Sequence, residues 1–148
     1  MNIQDNKQLV KQGYQMFKNK DIKGLLALFS DDIEWQGIES ENIPFAGDFH
    51  GLEEVAQYFA LLDQSQEAIQ FTPQDFIAEG DRVVVSGTSS WSVKANGQRF
   101  DNPWVHLFTI RDGKVAKFQQ YNDTAATEKA YTAASKTSAQ KPGATLRH

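Results

Sequence analysis

A few side chains in this sequence are of types that move protons. His106 sits inside the apolar run Trp104-Val105-His106-Leu107-Phe108. An imidazole titrates near neutrality, so a neighbouring carboxylate can turn it into an acid or a base. The same ring has blander readings, as a core histidine satisfied by a backbone carbonyl or a tyrosine, or as an exposed residue of a subunit face. Asp123, in Gln120-Tyr121-Asn122-Asp123-Thr124, is either a carboxylate at a cavity mouth, acting as base or orienter of His106, or the N-cap of a helix that starts at Thr124. Tyr14 shares a helical stripe with Val10 and Phe17, where its hydroxyl either donates to a substrate oxygen or rests at the rim of the packing. Asp32 could also orient His106, although turn formation or capping suits at least one of Asp31 and Asp32.

The strand holding His106 can be placed in register with the one that follows. With Asp112-Gly113 as a two-residue hairpin turn, Arg111 lies opposite Lys114, Phe108 opposite Lys117, His106 opposite Gln119, Trp104 opposite Tyr121 and Asn102 opposite Asp123. Side chains alternate along a strand, so one face carries Asn102, Trp104, His106, Gln119, Tyr121 and Asp123. Aromatic walls mixed with a few polar groups suit a ligand cavity better than an aliphatic core. Phe17, Trp35 and Phe49 are further candidates for its apolar lining. The assignment depends on the turn, because a slip of one residue moves every side chain to the opposite face.

The elements that must position these groups are readable from periodicity. Apolar residues from Ile3 to Phe17 recur largely at spacings of three and four and predict a helix. Asp21 caps a second, which holds Ile22, Leu25, Leu26, Leu28 and Phe29. Ile33-Glu34-Trp35 predicts a short strand, residues 37–51 a loop, and Leu52–Leu62 a third helix. Four β-rich runs follow at 67–79, 82–94, 98–110 and 114–122, separated by Glu79-Gly80-Asp81, Ala95-Asn96-Gly97 and Asp112-Gly113. Helices followed by a long antiparallel meander predict an α+β layer fold, a curved sheet wrapped around a helix and open at one end. Residues 1–131 form the expected domain, and 132–148, where Leu146 is the sole large apolar side chain, a flexible or swapped tail.

Composition narrows the chemistry. The 148 residues carry a net charge of −4 and include no basic run, which argues against nucleic acid and anionic membranes as partners. Without cysteine there is no disulfide, thiolate nucleophile, iron–sulfur cluster or Cys-based zinc site, and the three histidines are scattered. No dinucleotide fingerprint, phosphate loop or Gly-x-Ser-x-Gly elbow is present. No apolar run reaches membrane-spanning length and the first residues do not read as a secretory signal, so the expected compartment is the cytoplasm. Cofactor-free acid–base chemistry on a bound organic molecule, or plain binding, remains.

Three segments resemble the nuclear transport factor 2-like (NTF2-like) superfamily, most closely its SnoaL-like, ketosteroid isomerase-related branch. They are Asp21-Ile22-Lys23-Gly24-Leu25-Leu26-Ala27-Leu28-Phe29-Ser30-Asp31-Asp32-Ile33-Glu34-Trp35, then Phe45-Ala46-Gly47-Asp48-Phe49-His50-Gly51-Leu52-Glu53-Glu54-Val55, and Arg111-Asp112-Gly113-Lys114-Val115 through Tyr121-Asn122-Asp123-Thr124. The resemblance implies a conical α+β barrel, commonly a homodimer through the outer sheet face. It also implies a carboxylate or histidine acting on a small hydrophobic ligand in an apolar cone, without a cofactor. Tyr14 matches the oxyanion tyrosine of the steroid isomerase and His106 falls on the strand where cyclases and a dehydratase place a polar catalytic group. The cyclase pattern would put an aspartate inward on the last strand, where Gln119 stands here.

Three functions are compatible with this reading. The chain is an isomerase, cyclase or dehydratase of a hydrophobic carbonyl compound, with His106 as base and Tyr14 or Trp35 donating to the enolate. Alternatively it is a non-catalytic binding or dimeric scaffold module of the same fold. Or the cone is filled by its own side chains, with no cavity above about 100 Å³, against the several hundred of useful pockets.

Overall fold

The computed structural model describes residues 2–133. Two helices come first, and a third follows two strands. In α1 (Ile3–Lys18) the Asn2 side chain accepts from the Asp5 N–H and covers one of the orphan donors of the first turn. The short α2 (Ile22–Leu26) is capped as expected by Asp21, which accepts from the Gly24 N–H. α2 stops three residues earlier than its apolar pattern suggests. Phe29 opens the strand β1 (Phe29–Gln36) instead, and the Leu28 carbonyl accepts from the Val115 N–H. A short apolar run such as Leu25–Phe29 fits either element, and pairing with a distant strand decides it. The 37–51 loop contains a further strand, β2 (Asp48–His50), before α3 (Gly51–Ser65).

The second half forms the sheet: β3 (Gln66–Glu79), β4 (Arg82–Val93), β5 (Arg99–Asp101), β6 (Trp104–Arg111) and β7 (Lys114–Asn122), closed by α4 (Thr124–Thr132). The order is β2-β1-β7-β6-β4-β3, with β5 paired to β4, and β1 runs parallel to β7. The sheet is therefore mixed and curved but not a closed barrel. The meander from β3 to β7 is antiparallel, as expected. The run 98–110 is broken into β5 and β6 around Asn102-Pro103, because proline has no N–H to give the ladder. α1 and α3 lie on the concave face, over a core that includes Val10, Ile33, Trp35, Val55, Phe59, Val83 and Val85.

The register of the last hairpin corrects the expected one. Asp112 and Gly113 both have positive φ (52° and 76°), and Arg111 does pair with Lys114. Thr109, however, pairs with Lys117, because Ala116 is an extra residue in β7. This bulge rotates everything beyond it by one position. His106 therefore faces Gln120, Trp104 faces Asn122, and Phe108 faces Phe118. Of the tail expected at 132–148, Thr132 closes α4 and Ala133 caps it, and the rest lies outside the described residues.

Candidate functional site

The concave side of the sheet and the helices enclose a cavity of about 90 Å³. α1 contributes Tyr14 and Phe17, β1 Trp35, β3 Phe71, β6 Trp104, His106 and Phe108, and β7 Phe118 and Gln120. Among the described residues no Asp, Glu, Lys or Arg lines it. The volume falls below the 100 Å³ mark and so meets the filled-cone reading rather than the two ligand readings: at rest the cavity is largely occupied by its own aromatic rings, and a ligand enters only if they move.

At its centre the Tyr14 hydroxyl lies 2.7 Å from His106 Nδ1. His106 is 7% exposed and sits between the rings of Trp104 (4.2 Å between centroids) and Phe118 (4.7 Å). Burial lowers the imidazole pKa to about 3 and pushes the Tyr14 phenol well above its ordinary value. Both groups are therefore neutral near pH 7. If Tyr14 donates to Nδ1, one group stays unpaired, the Nε2 N–H. The reverse tautomer would leave both the phenol proton and the Nε2 lone pair without partners. The first arrangement leaves fewer polar groups without a partner and so costs less. It makes His106 a hydrogen-bond donor.

Two more donors lie in the walls. The indole Nε1 atoms of Trp35 and Trp104 are buried without a partner. Trp91 differs: its Nε1 donates to Ser89 Oγ at 3.0 Å, and Ser89 in turn donates to the Asn102 carbonyl at 2.8 Å. Trp104 can lie across β4 because its neighbour there is Gly87, where a Cβ would strike the indole ring and the Thr72 carbonyl oxygen.

Of the residues proposed from sequence, Tyr14, Phe17, Trp35, Asn102, Trp104 and His106 line the cavity. Asn102 is also structural, its Oδ1 accepting from the Asp123 N–H at 2.9 Å. The others lie elsewhere. Asp123 is the helix cap, accepting from the Ala126 N–H at 3.0 Å. Asp32 pairs with Arg111 at 2.7 Å on the surface, and the Ser30 hydroxyl and Arg111 guanidinium lower its pKa. Neither carboxylate orients His106. Phe49 packs on Tyr58 with centroids 5.4 Å apart, outside the cavity. Gln119 and Tyr121 are turned to the opposite face by the bulge, where Gln119 Nε2 donates to the Tyr121 hydroxyl at 3.1 Å. Sequence reasoning missed Phe118, Gln120 and Asn122, which take the inward positions. One signal was available: the unbulged register aims Lys117 at Phe108 and turns Phe118 out to solvent.

The decisive comparison is with protein families. A family model described as a SnoaL-like domain matches residues 10–118. This chain belongs to the SnoaL-like family of the NTF2-like superfamily. Solved structures agree with that placement. An NTF2-like protein from Burkholderia xenovorans LB400 is 35% identical, with a TM-score of 0.81 over 89% of this chain and 99% of its own. TerC, co-crystallised with polyporic acid, is 28% identical, with a TM-score of 0.76 over 87% of this chain and 99% of its own. A Pseudomonas putida KT2440 protein provisionally named a polyketide cyclase shares the fold at 20% identity, with a TM-score of 0.70 over 86% and 98% of the two chains. No curated protein matches significantly.

Within this SnoaL-like cavity the position opposite His106 on the last strand is Gln120, not the aspartate of the cyclase pattern. Gln120 Oε1 is 3.5 Å from the Tyr58 hydroxyl, whose pKa is raised by burial. What the arrangement offers a ligand is a set of neutral donors in an aromatic box.

Proposed function

We propose that this SnoaL-like domain binds a small aromatic carbonyl compound and promotes its enolisation or cyclisation without a cofactor. The observation carrying this reading is the buried 2.7 Å contact between Tyr14 and His106 Nδ1. It holds a neutral imidazole with one N–H to spare, and a neutral imidazole can polarise a carbonyl and stabilise the oxyanion that develops on it. Burial weakens His106 as a base, so proton removal falls to water or to a basic group of the substrate. Because the resting cavity is about 90 Å³, binding moves ring side chains of the wall. TerC, with its polyporic acid, supplies a first probe.

A second reading, a non-catalytic binding module, is favoured by the absence of any carboxylate among the described lining residues. Proton exchange separates the two. Aromatic ketones incubated with the protein in D₂O are expected to exchange the hydrogens next to the carbonyl faster than in buffer, with the excess lost in His106→Leu. Binding without exchange would leave the module reading, and neither binding nor exchange would overturn both.

The homodimer implied by the fold also has a candidate surface. On the outer sheet face Tyr121 lies beside Val105, Leu107 beside Val84, and Val84 beside Ile77. Ile77 is 64% exposed and Tyr121 49%. We infer that a second copy covers this stripe. Val105→Glu then yields monomers in sedimentation velocity, and an unchanged oligomeric state would refute the assignment.

A further inference from the structure

A second hollow lies outside the cavity wall. It runs between α1, α3 and β3 and has a volume of about 950 Å³. Tyr14, Phe17, Phe59 and Phe71 line both hollows, so the two meet across these side chains. A ligand that displaces Phe17 or Phe71 passes from the groove to His106.

The groove is basic on an acidic protein. Four lysines line it, Lys11, Lys18, Lys20 and Lys94, against two carboxylates, Asp63 and Glu67, while the chain as a whole carries −4. Lys20 is partnered by Asp63 at 4.0 Å, and Lys94 Nζ donates to the Asp63 carbonyl at 2.5 Å. Lys11 stands over the Phe76 ring, 5.2 Å from its centroid. Among the described residues neither Lys11 nor Lys18 forms an ion pair. On α1 these two lie three residues before and four residues after Tyr14, and therefore share its face. Two uncompensated cations thus flank the phenol that reaches His106, above a floor of aromatic rings.

We propose that the ligand is an aromatic organic anion. Its charged group is held by Lys11 and Lys18, its ring body lies along Phe76, Phe71 and Phe17, and an oxygen at its far end accepts from the Tyr14–His106 pair. The unpartnered indole N–H groups of Trp35 and Trp104 favour further acceptor oxygens on the buried part. This inference rests on the cavity being the ligand site.

The test uses 6-hydroxy-2-naphthoate and its methyl ester, which share a ring body with an oxygen at the far end and differ in charge, with binding read by tryptophan fluorescence and calorimetry. Wild-type protein is expected to bind the naphthoate about tenfold tighter than the ester at low salt, the scale of two solvent-exposed charge contacts. That preference shrinks towards unity in the double variant Lys11→Gln/Lys18→Gln and in 0.5 M salt, while ester affinity stays unchanged. Equal binding of the two probes, or a preference that survives the double variant, overturns the proposal. If the ester alone binds and loses affinity in Tyr14→Phe, the cavity is the site and only its charge preference is wrong. If neither probe binds, this proposal falls together with the reading of the cavity.

Discussion

Lowering the pH from 7 to 5 is a perturbation whose cost follows from one buried ring. In the folded protein His106 protonates only near pH 3, because burial penalises the cation. In the unfolded chain an exposed histidine protonates near 6.5. Between these values the unfolded state binds a proton that the folded state does not, so stability rises with pH across the window. The contribution is complete above about pH 6.5 and is lost as the pH falls towards 3, at about 1.4 kcal/mol per pH unit. The loss from this residue is about 2 kcal/mol at pH 5 and about 5 kcal/mol once pH 3 is reached. Urea unfolding at pH 7, 6 and 5 measures it when wild type is compared with His106→Gln, whose amide oxygen can still accept from Tyr14. Carboxylate titrations are common to both proteins and cancel in the difference. The expected result is a variant that loses about 2 kcal/mol less than wild type between pH 7 and 5. Equal losses would mean that the ring already takes up a proton in the folded state, and the neutral Tyr14–His106 pair would then be wrong.

Other consequences follow from the packing. Gly87→Ala puts a methyl group against the Trp104 ring and the Thr72 carbonyl. It should cost about 1–3 kcal/mol in urea unfolding and weaken probe binding, since Trp104 is a cavity wall. Asp123→Ala removes the cap of α4 and should cost about 1 kcal/mol while leaving probe affinity unchanged. A loss of affinity there would return Asp123 to the ligand site. Tyr14→Phe removes the partner of His106 Nδ1 and should cost about 1–3 kcal/mol, read by the same denaturation.

Local rules in the sequence were reliable where the chain makes its own decisions. Asp21 and Asp123 cap helices because the cap geometry lies within three residues. Asp112-Gly113 turns the last hairpin because both residues tolerate positive φ. His106 and Tyr14 were legible as separate candidates, a titratable ring in an apolar run and a phenol on a helical stripe; the 2.7 Å contact that joins them spans 92 residues of sequence and was not legible. The failures lie where a distant partner decides. Ala116 bulges because Phe118 must reach the core; the one hint in β7, a Lys117 that the unbulged register aims inward, does not locate the extra residue, and the bulge exchanged Gln119 and Tyr121 for Gln120 and Asn122. Phe29 became a strand residue through β7. Gly87 carries no local signal of its role, because the ring it makes room for, Trp104, comes from a neighbouring strand.

The most direct test of the neutral pair is ¹⁵N NMR of the His106 ring, recorded from pH 4.5 to 8 with and without the aromatic probes. The account predicts a ring that stays neutral throughout, with the proton on Nε2, and an Nε2 signal that moves when a probe binds. A ring that titrates near 6.5, carries its proton on Nδ1, or ignores a probe whose binding is established by calorimetry would contradict it.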